Sequence, residues 1–180
     1  MIEFPIPLLG FAAYSGTGKT TLLCKLIPLL KSKGIRIGVV KHAHHNFDID
    51  HPNKDSYELR KSGATEIVVS SKKRTAIIVE YPDNTNEPSL EDALEHLHLK
   101  NLDLILVEGF KLAALPKIEL HRVALNKPYL YPHDKNIIAI AIDHKLDDLN
   151  SPIALDLNKP QQIANYIEEM ILGKNQHKRA

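Results

Sequence analysis

Three observations predict an α/β fold: a three-layer sandwich with a mostly parallel sheet, helices on both faces and extra antiparallel strands. Short apolar runs of strand length recur at 7–13, 35–40, 102–107 and 137–142. Unbroken runs of this kind suit strands buried on both faces, the habit of parallel sheets. An amphipathic stretch of helical period joins the first two runs, giving strand, turn, helix and strand in about 35 residues, the length of a βαβ unit. The 180 residues correspond to about one domain at ~150 residues per domain. That length buries roughly 70% of the unfolded surface, enough for a core without staples.

The elements follow in order. Residues 7–13 form the first strand. In 19–33, Leu22, Leu23, Leu26, Leu29 and Leu30 recur at helical spacing. Pro28 is expected to kink that helix or end its regular part, and Gly34 to stop it. The second strand is 35–40, and 41–54 reads as a polar loop. A short helix follows at 55–62, capped by Asp55 or Ser56 and ended by Gly63. Strands are expected at 66–70 and 74–80, with a turn-rich connector at 82–88. Ser89 with Asp92 resembles a capping box for a helix running to about 99. Strands at 102–107, 117–123 and 137–142, a short one near 153–157, and a helix at 160–172 complete the chain. Pro160 is well placed at a helix start. The strands at 74–80 and 117–123 extend beyond a minimal core of this kind, and they could pair with a second copy or be covered within the chain. The whole chain, 1–180, is expected to be a single domain with a frayed tail from about 173.

Composition narrows the function. Lys plus Arg is 23 and Asp plus Glu is 22, so the basic excess of a nucleic-acid coat is missing. The basic tail at 174–179 reads as a solvated terminus. The one cysteine, Cys24, excludes an intramolecular disulfide and a cysteine-cluster zinc site. The first residues lack the basic start of a signal peptide, and no apolar run reaches the ~18 residues of a membrane span. A soluble cytoplasmic protein is expected, without nucleic-acid or membrane partners.

The sharpest motif is Ala13-Tyr14-Ser15-Gly16-Thr17-Gly18-Lys19-Thr20. It matches the phosphate loop G-x-x-x-x-G-K-[ST] except at its first glycine, which is Ala13. A buried strand precedes it and an amphipathic helix follows, the context the motif requires. Gly16 and Gly18 let successive N–H groups turn inward as an anion nest, at the positive end of the helix dipole. Lys19 would reach the β- and γ-phosphates. The hydroxyl of Thr20 would sit on Mg²⁺, and Thr21 could touch the α-phosphate. The competing reading is a Gly-rich turn beside an exposed lysine, which the extra methyl of Ala13 favours slightly. Tyr14 stands where the partitioning-type ATPases carry a second lysine, so that subclass is not supported. The fold class sharpens to a P-loop NTPase.

Such a site takes an acid at the end of a second core strand, holding Mg²⁺ or its water. Glu108 occupies that place, and Gly109 leaves room near the γ-phosphate; a surface glutamate in a turn is the plainer reading. The segment 41–51 holds four histidines and two aspartates. It could be a switch-like loop placing Asp48 or Asp50 near Mg²⁺. It could bind a transition metal through His44, His45 or His51, or be a solvent loop without chemistry. Arg60 and Lys61 could touch a phosphate or an anionic partner, or lie on a solvated helix face. No guanine-reading Asn-Lys-x-Asp is present. The nearest string is His144-Lys145-Leu146-Asp147, and Asp143 is a second candidate acceptor. A small-molecule kinase would use the same loop, but its lid would need clustered arginines, and Arg36, Arg60, Arg74, Arg122 and Arg179 are scattered.

Four blocks then carry a resemblance over about 7–172: Ala-Ala-Tyr-Ser-Gly-Thr-Gly-Lys-Thr-Thr at 12–21, Lys-His-Ala-His-His at 41–45, Lys-Asp-Ser-Tyr-Glu-Leu-Arg-Lys at 54–61 and Leu-Asp-Leu-Ile-Leu-Val-Glu-Gly-Phe-Lys at 102–111. In order and spacing they resemble the molybdopterin-guanine dinucleotide biosynthesis adapter family, protein B. The resemblance implies a P-loop sheet of the class that includes the signal-recognition GTPases, and GTP with Mg²⁺ as ligands. It implies slow GTP hydrolysis and a cytoplasmic homodimer. Its partners would be the molybdopterin guanylyltransferase that joins GMP to molybdopterin and maturation factors of molybdoenzymes. Carried over by position, Gly16, Thr17, Gly18, Lys19, Thr20 and Thr21 hold phosphate and metal, Glu108 and Gly109 form the second motif, and Asp48 and Asp50 are candidate switch acids. The nucleotide-binding set is completed by Ser15, with Lys19 and Glu108 as candidate catalytic groups and Thr20, Glu108, Asp48 and Asp50 as candidate metal ligands. No water-positioning glutamine follows Gly109 and no internal arginine finger is evident, which accords with slow turnover.

Overall fold

A computed structural model describes residues 2–43, 47–82, 87–145 and 151–173. In chain order its elements are β1 (Leu8–Ala12), α1 (Lys19–Ser32), β2 (Ile37–Lys41), α2 (Asp55–Lys61), β3 (Glu66–Ser70), β4 (Thr75–Val79), α3 (Leu90–Glu95), β5 (Leu104–Glu108), β6 (Lys117–His121), β7 (Ile137–Ile142), β8 (Ile153–Asp156) and α4 (Pro160–Tyr166). A π-helical stretch, Ile167–Leu172, continues α4. The chain divides into two compact units, Met1–His42 with Leu90–Ala180 and Ala43–Ser89.

The larger unit is a six-stranded sheet in the order β2-β5-β1-β6-β7-β8, parallel at every pairing. The apolar runs at β1, β5 and β7 become its buried strands, as parallel pairing requires. On one face Leu9, Leu104, Leu106 and Ile118 meet Leu26 and Leu30 of α1 and Ile163 of α4. Each fully buried leucine or isoleucine stabilises the fold by about 1.5–3 kcal/mol. On the other face Leu8, Ile105 and Val107 pack with Leu90 and Leu94 of α3. Pro28 does not end α1, which continues to Ser32 with the exposed proline inside it. The helix stops where expected: the N–H groups of Lys33 and Gly34 donate to the carbonyls of Leu30 and Lys31. α3 is shorter than its pattern suggested, giving way to a 3-10 turn at Leu99–Asn101.

The expected extra strand at 117–123 needs correction. β6 is an interior strand between β1 and β7, so it offers no edge to a second copy. Its alternating Lys-Ile-Glu-Leu-His sequence turns Ile118 and Leu120 to the first face, and Lys117, Glu119 and His121 are buried too. Each polar group ties down part of the irregular segment between β6 and β7. Lys117 Nζ donates to Asp134 and to the Lys111 carbonyl, both at 2.7 Å. The Glu119 carboxylate accepts the N–H groups of Leu130 and Tyr131, each at 2.8 Å. His121 Nε2 lies 2.8 Å from the Lys127 carbonyl. Burial pushes the Glu119 carboxyl above its ordinary value despite these two N–H donors. Burial alone would also raise Asp134, but hydrogen bonds from Lys117 and Asn136 and the Lys117 charge hold it below its ordinary value.

In the smaller unit, β3 and β4 form an antiparallel hairpin, the extra antiparallel pair of the expected fold. The N-cap of α2 is Lys54, with no side-chain hydrogen bond, rather than Asp55 or Ser56. Arg60 is buried, which corrects the solvated-face reading of this residue. Its guanidinium donates to Asp48 at 2.6 Å, Asp50 at 2.7 Å and Glu80 at 3.0 Å. The hydrogen bonds from Arg60 hold the Asp50 carboxyl below its ordinary 3.8. A carboxyl lowered by folding adds stability that is complete above its unfolded pKa and is lost as pH falls through the folded one. Hydrogen exchange in β3 and β4, corrected for intrinsic rates, should therefore keep its protection from pH 7 to about 4 and lose it below that. Arg60→Met should show the same loss already at pH 7, and unchanged protection in that variant would contradict a stabilising role for the cluster.

Candidate functional site

The sequence 13–21 folds as a loop that leads β1 into α1. Ala13, the departure from the phosphate-loop pattern, has no positive φ, and its methyl packs into the core. The position therefore needs no glycine here. Gly16 and Gly18 do need their freedom, with φ of 80° and 94°, a region that favours glycine. Thr17 is buried, and its hydroxyl donates to the Tyr14 carbonyl at 2.8 Å, so this side chain shapes the loop from within. Gly18 is the N-cap of α1, with no side-chain cap and no acidic residue in the first turn. The first N–H groups of a helix have no partner inside it, so Lys19, Thr20 and Thr21 offer donors at the positive end of the dipole. Ser15, Gly16, Thr20 and Thr21 are exposed there.

The second motif meets the first. Glu108 ends β5, next to β1 in the sheet, and its carboxylate lies 3.7 Å from Lys19 Nζ and 3.9 Å from Lys41 Nζ. The parallel pairing of β5 with β1 and β2 produces this meeting. Gly109 follows with φ of 96°, and the His42 backbone packs against it. Phe110 packs against the His42 ring at 5.1 Å between centroids, the planes tilted by 57°, so the residue after Gly109 brings an aromatic ring rather than a polar group to its neighbour.

One residue at the loop was not legible in the sequence. Arg122, just past β6, donates from Nε to the Thr17 carbonyl at 3.0 Å and from Nη1 to Asp143 at 3.4 Å. It thereby links the phosphate loop to the end of β7. Its only sequence signal is its place at the end of a strand neighbouring β1. Asp143, a candidate base reader, also accepts the Val123 N–H at 3.2 Å. Burial would raise its carboxyl, but the Val123 N–H, His144 and the Arg122 charge bring it below its ordinary value. In the string His144-Lys145-Leu146-Asp147, Leu146 and Asp147 lie outside the described residues.

Asp48 and Asp50 belong to the smaller unit, where Arg60 holds both. His44 and His45 lie outside the described residues, and among the described residues no group of three or more His, Cys, Asp or Glu is placed to hold a metal ion. Among the same residues no helix is long and apolar enough to cross a membrane.

Comparison with known proteins places this geometry. Residues 8–143 match the family described as molybdopterin guanine dinucleotide synthesis protein B. The molybdopterin-guanine dinucleotide biosynthesis adapter protein of Escherichia coli is 47% identical over 172 residues, covering 94% of this chain and 96% of that one. The protein of the same name from Haemophilus influenzae is 41% identical over 166 residues, covering 92% and 90%. A crystal structure of molybdopterin-guanine biosynthesis protein B superposes with a TM-score of 0.69 at 25% identity, covering 91% of this chain and 99% of that one. A homologue from Bacillus stearothermophilus shares the fold with a TM-score of 0.64 at 22% identity, covering 96% and 99%. A P-loop meeting an acidic strand end on a six-stranded parallel sheet, together with these matches, shows that the chain belongs to the molybdopterin guanine dinucleotide synthesis protein B family.

Proposed function

We propose that this chain is a GTP- and Mg²⁺-binding adapter of molybdopterin-guanine dinucleotide biosynthesis. It assists the guanylyltransferase that joins GMP to molybdopterin, as a cytoplasmic homodimer of single-domain chains. The observation that carries the reading is the uncapped N-terminus of α1, with Lys19 and Glu108 brought together beside Gly109. The donor set fits a nucleotide phosphate chain. The N–H groups of Gly16, Gly18, Lys19 and Thr20 cradle the phosphates, Lys19 neutralises the β- and γ-oxygens, and the Thr20 hydroxyl and Glu108 supply oxygens of the kind a hard cation takes. Thr20 and Glu108 would hold Mg²⁺, whose positive charge would offset the negative charge of the phosphates. Asp48 and Asp50, the candidate switch acids, are held by Arg60, so a metal role for either would need that ion pair to open. Phe110 puts no water-orienting group after Gly109, and Arg122 is engaged by Thr17 and Asp143, so hydrolysis by the chain alone is slow.

Calorimetric titration of GTP, GDP and ATP with Mg²⁺ tests the reading. GTP preference and retention of the guanylyltransferase on the GTP-loaded protein are expected. Equal or tighter ATP binding with phosphate transfer to a metabolite would replace the adapter with a kinase. Arg122→Gln should weaken GTP binding by roughly tenfold, the low end of the ~1.5–3 kcal/mol of a charged hydrogen bond, because the Thr17 peptide loses its brace. Unchanged affinity in a folded Arg122→Gln protein would show that the brace is dispensable.

A further inference from the structure

On the second face α3 reaches only Leu8 at the start of β1 among the described residues of β1 and β6. Two irregular segments lie there instead, residues 109–116 and the 15 residues between β6 and β7. The second carries only two three-residue 3-10 turns, Val123–Leu125 and Tyr131–His133, and long connections with so little regular structure are often functional. Beneath them is a chamber of about 360 Å³, within the range of small-molecule sites. Its lining includes Ala13, Tyr14, Lys19 and Gly109 at one end of the sheet and Lys117, Asp134 and Asn136. None of Ser15 to Gly18, Thr20 or Thr21 lines it. It therefore begins next to the terminal-phosphate end of the loop and leads away from the phosphate nest.

The walls define a ligand. Tyr14 and Phe110 supply aromatic surface, and Leu115 and Leu130 aliphatic surface. Three lysines, Lys19, Lys111 and Lys117, face one aspartate, Asp134. Lys117 and Asp134 pair with each other and Lys19 lies 3.7 Å from Glu108, so Lys111 supplies the remaining positive charge of the lining. Its depth is built rather than incidental. The Lys117 stem lies over Gly10, where a Cβ would come within 2.9 Å of Lys117 Cγ. The hydrogen bonds of Lys117 and Glu119 hold the covering segment at 130–134 in place.

We infer that this chamber is a second ligand subsite, adjoining the terminal phosphate, for a planar aromatic heterocycle that carries an anionic group. Phosphorylated pterins belong to this chemical class. The inference rests on the reading that the P-loop takes the phosphates of the nucleotide, since that makes the chamber a neighbouring compartment. The aromatic and aliphatic walls take the ring, and Lys111 takes the anion, since Lys19 is engaged by the nucleotide phosphates.

The test is fluorescence titration of the full chain with pterin-6-carboxylate, with and without GTP–Mg²⁺, beside a calorimetric GTP titration of the same preparation. Saturable 1:1 quenching is expected, persisting with GTP bound. Leu130→Trp, which puts an indole into the chamber, should weaken the probe at least tenfold and leave GTP affinity unchanged. Should Leu130→Trp fail to fold, Phe110→Leu keeps an apolar core residue, removes an aromatic wall, and should weaken the probe several-fold. Uncharged pterin should bind about tenfold more weakly than the carboxylate. Normal GTP binding with no saturable quenching would overturn the inference. Stoichiometric displacement of the probe by GTP would also overturn it, because the chamber would then be the nucleotide's own. Probe binding in a protein that takes no GTP would retain the chamber as a ligand site and remove the nucleotide reading.

Discussion

Lys19→Ala is expected to weaken GTP binding by ~100-fold or more while leaving the fold intact. Lys19 stands in the first turn of α1, partly exposed, and its recorded ion pair is with Glu108 at 3.7 Å. The pair is long, and Lys41 stays 3.9 Å from the same carboxylate when Lys19 is lost, so the melting temperature should move little. Binding is different. The ammonium would make charge-assisted hydrogen bonds to two phosphate groups, each worth about 1.5–3 kcal/mol. Loss of both spans roughly 10²–10⁴ in affinity, since 1.4 kcal/mol is tenfold. Lys19→Arg should not restore it, because a planar fork cannot replace a compact charge beside the tight turn at Gly16 and Gly18. Calorimetry and a thermal melt on the same protein separate the two effects. Wild-type affinity in Lys19→Ala would remove the phosphate-loop reading and with it the adapter mechanism proposed above.

The sequence made the phosphate loop legible because both signals there are local. The glycines mark the turn, the apolar run before it marks a buried strand, and the leucines after it mark one helix face. The same holds for β5, β7 and α4, where the continuous apolar runs and the Pro160 start suffice. The second face of β6 was not legible. Alternation in Lys-Ile-Glu-Leu-His says that the two faces differ, but not that the polar one meets water. Here the chain returns over Lys117, Glu119 and His121 and buries them, which took a non-local segment to achieve. Arg122 was hidden for the same reason, since its partner Thr17 lies 105 residues away. For Arg60 the sequence offers a phosphate or anionic-partner contact or a solvated helix face, and helical spacing does not reveal that Asp48, Asp50 and Glu80 fold around it. In each case a charge was visible in the sequence and its partner was not, because ion pairs across a fold have no periodicity.

Gly109→Ala should lower both stability and nucleotide affinity, and the reason is the contact of Gly109 with His42. Gly109 has φ of 96°, where a β-carbon costs about 1–2 kcal/mol. A Cβ there would also lie 2.8 Å from His42 Cβ and 3.1 Å from the His42 carbonyl oxygen. The carbonyl belongs to backbone, and the His42 N–H is already bound to the Glu108 carbonyl at 2.8 Å, so neither side yields easily. Overpacking of this kind adds about 1–3 kcal/mol. Together these lower the melting temperature by roughly 4–20 °C, at ~2–4 °C per kcal/mol for a chain of this size. Gly34→Ala is the control. Gly34 has φ of 81° with nothing within 4 Å of its Cβ position, so that variant reports conformational strain without the contact. A Gly109→Ala protein that melts like Gly34→Ala would show that the His42 contact is loose. If it melts well below, the ends of β2 and β5 are locked together at this point. Those ends carry Lys41 and Glu108, so loosening them displaces the acid opposite Lys19 and weakens GTP binding in the same variant.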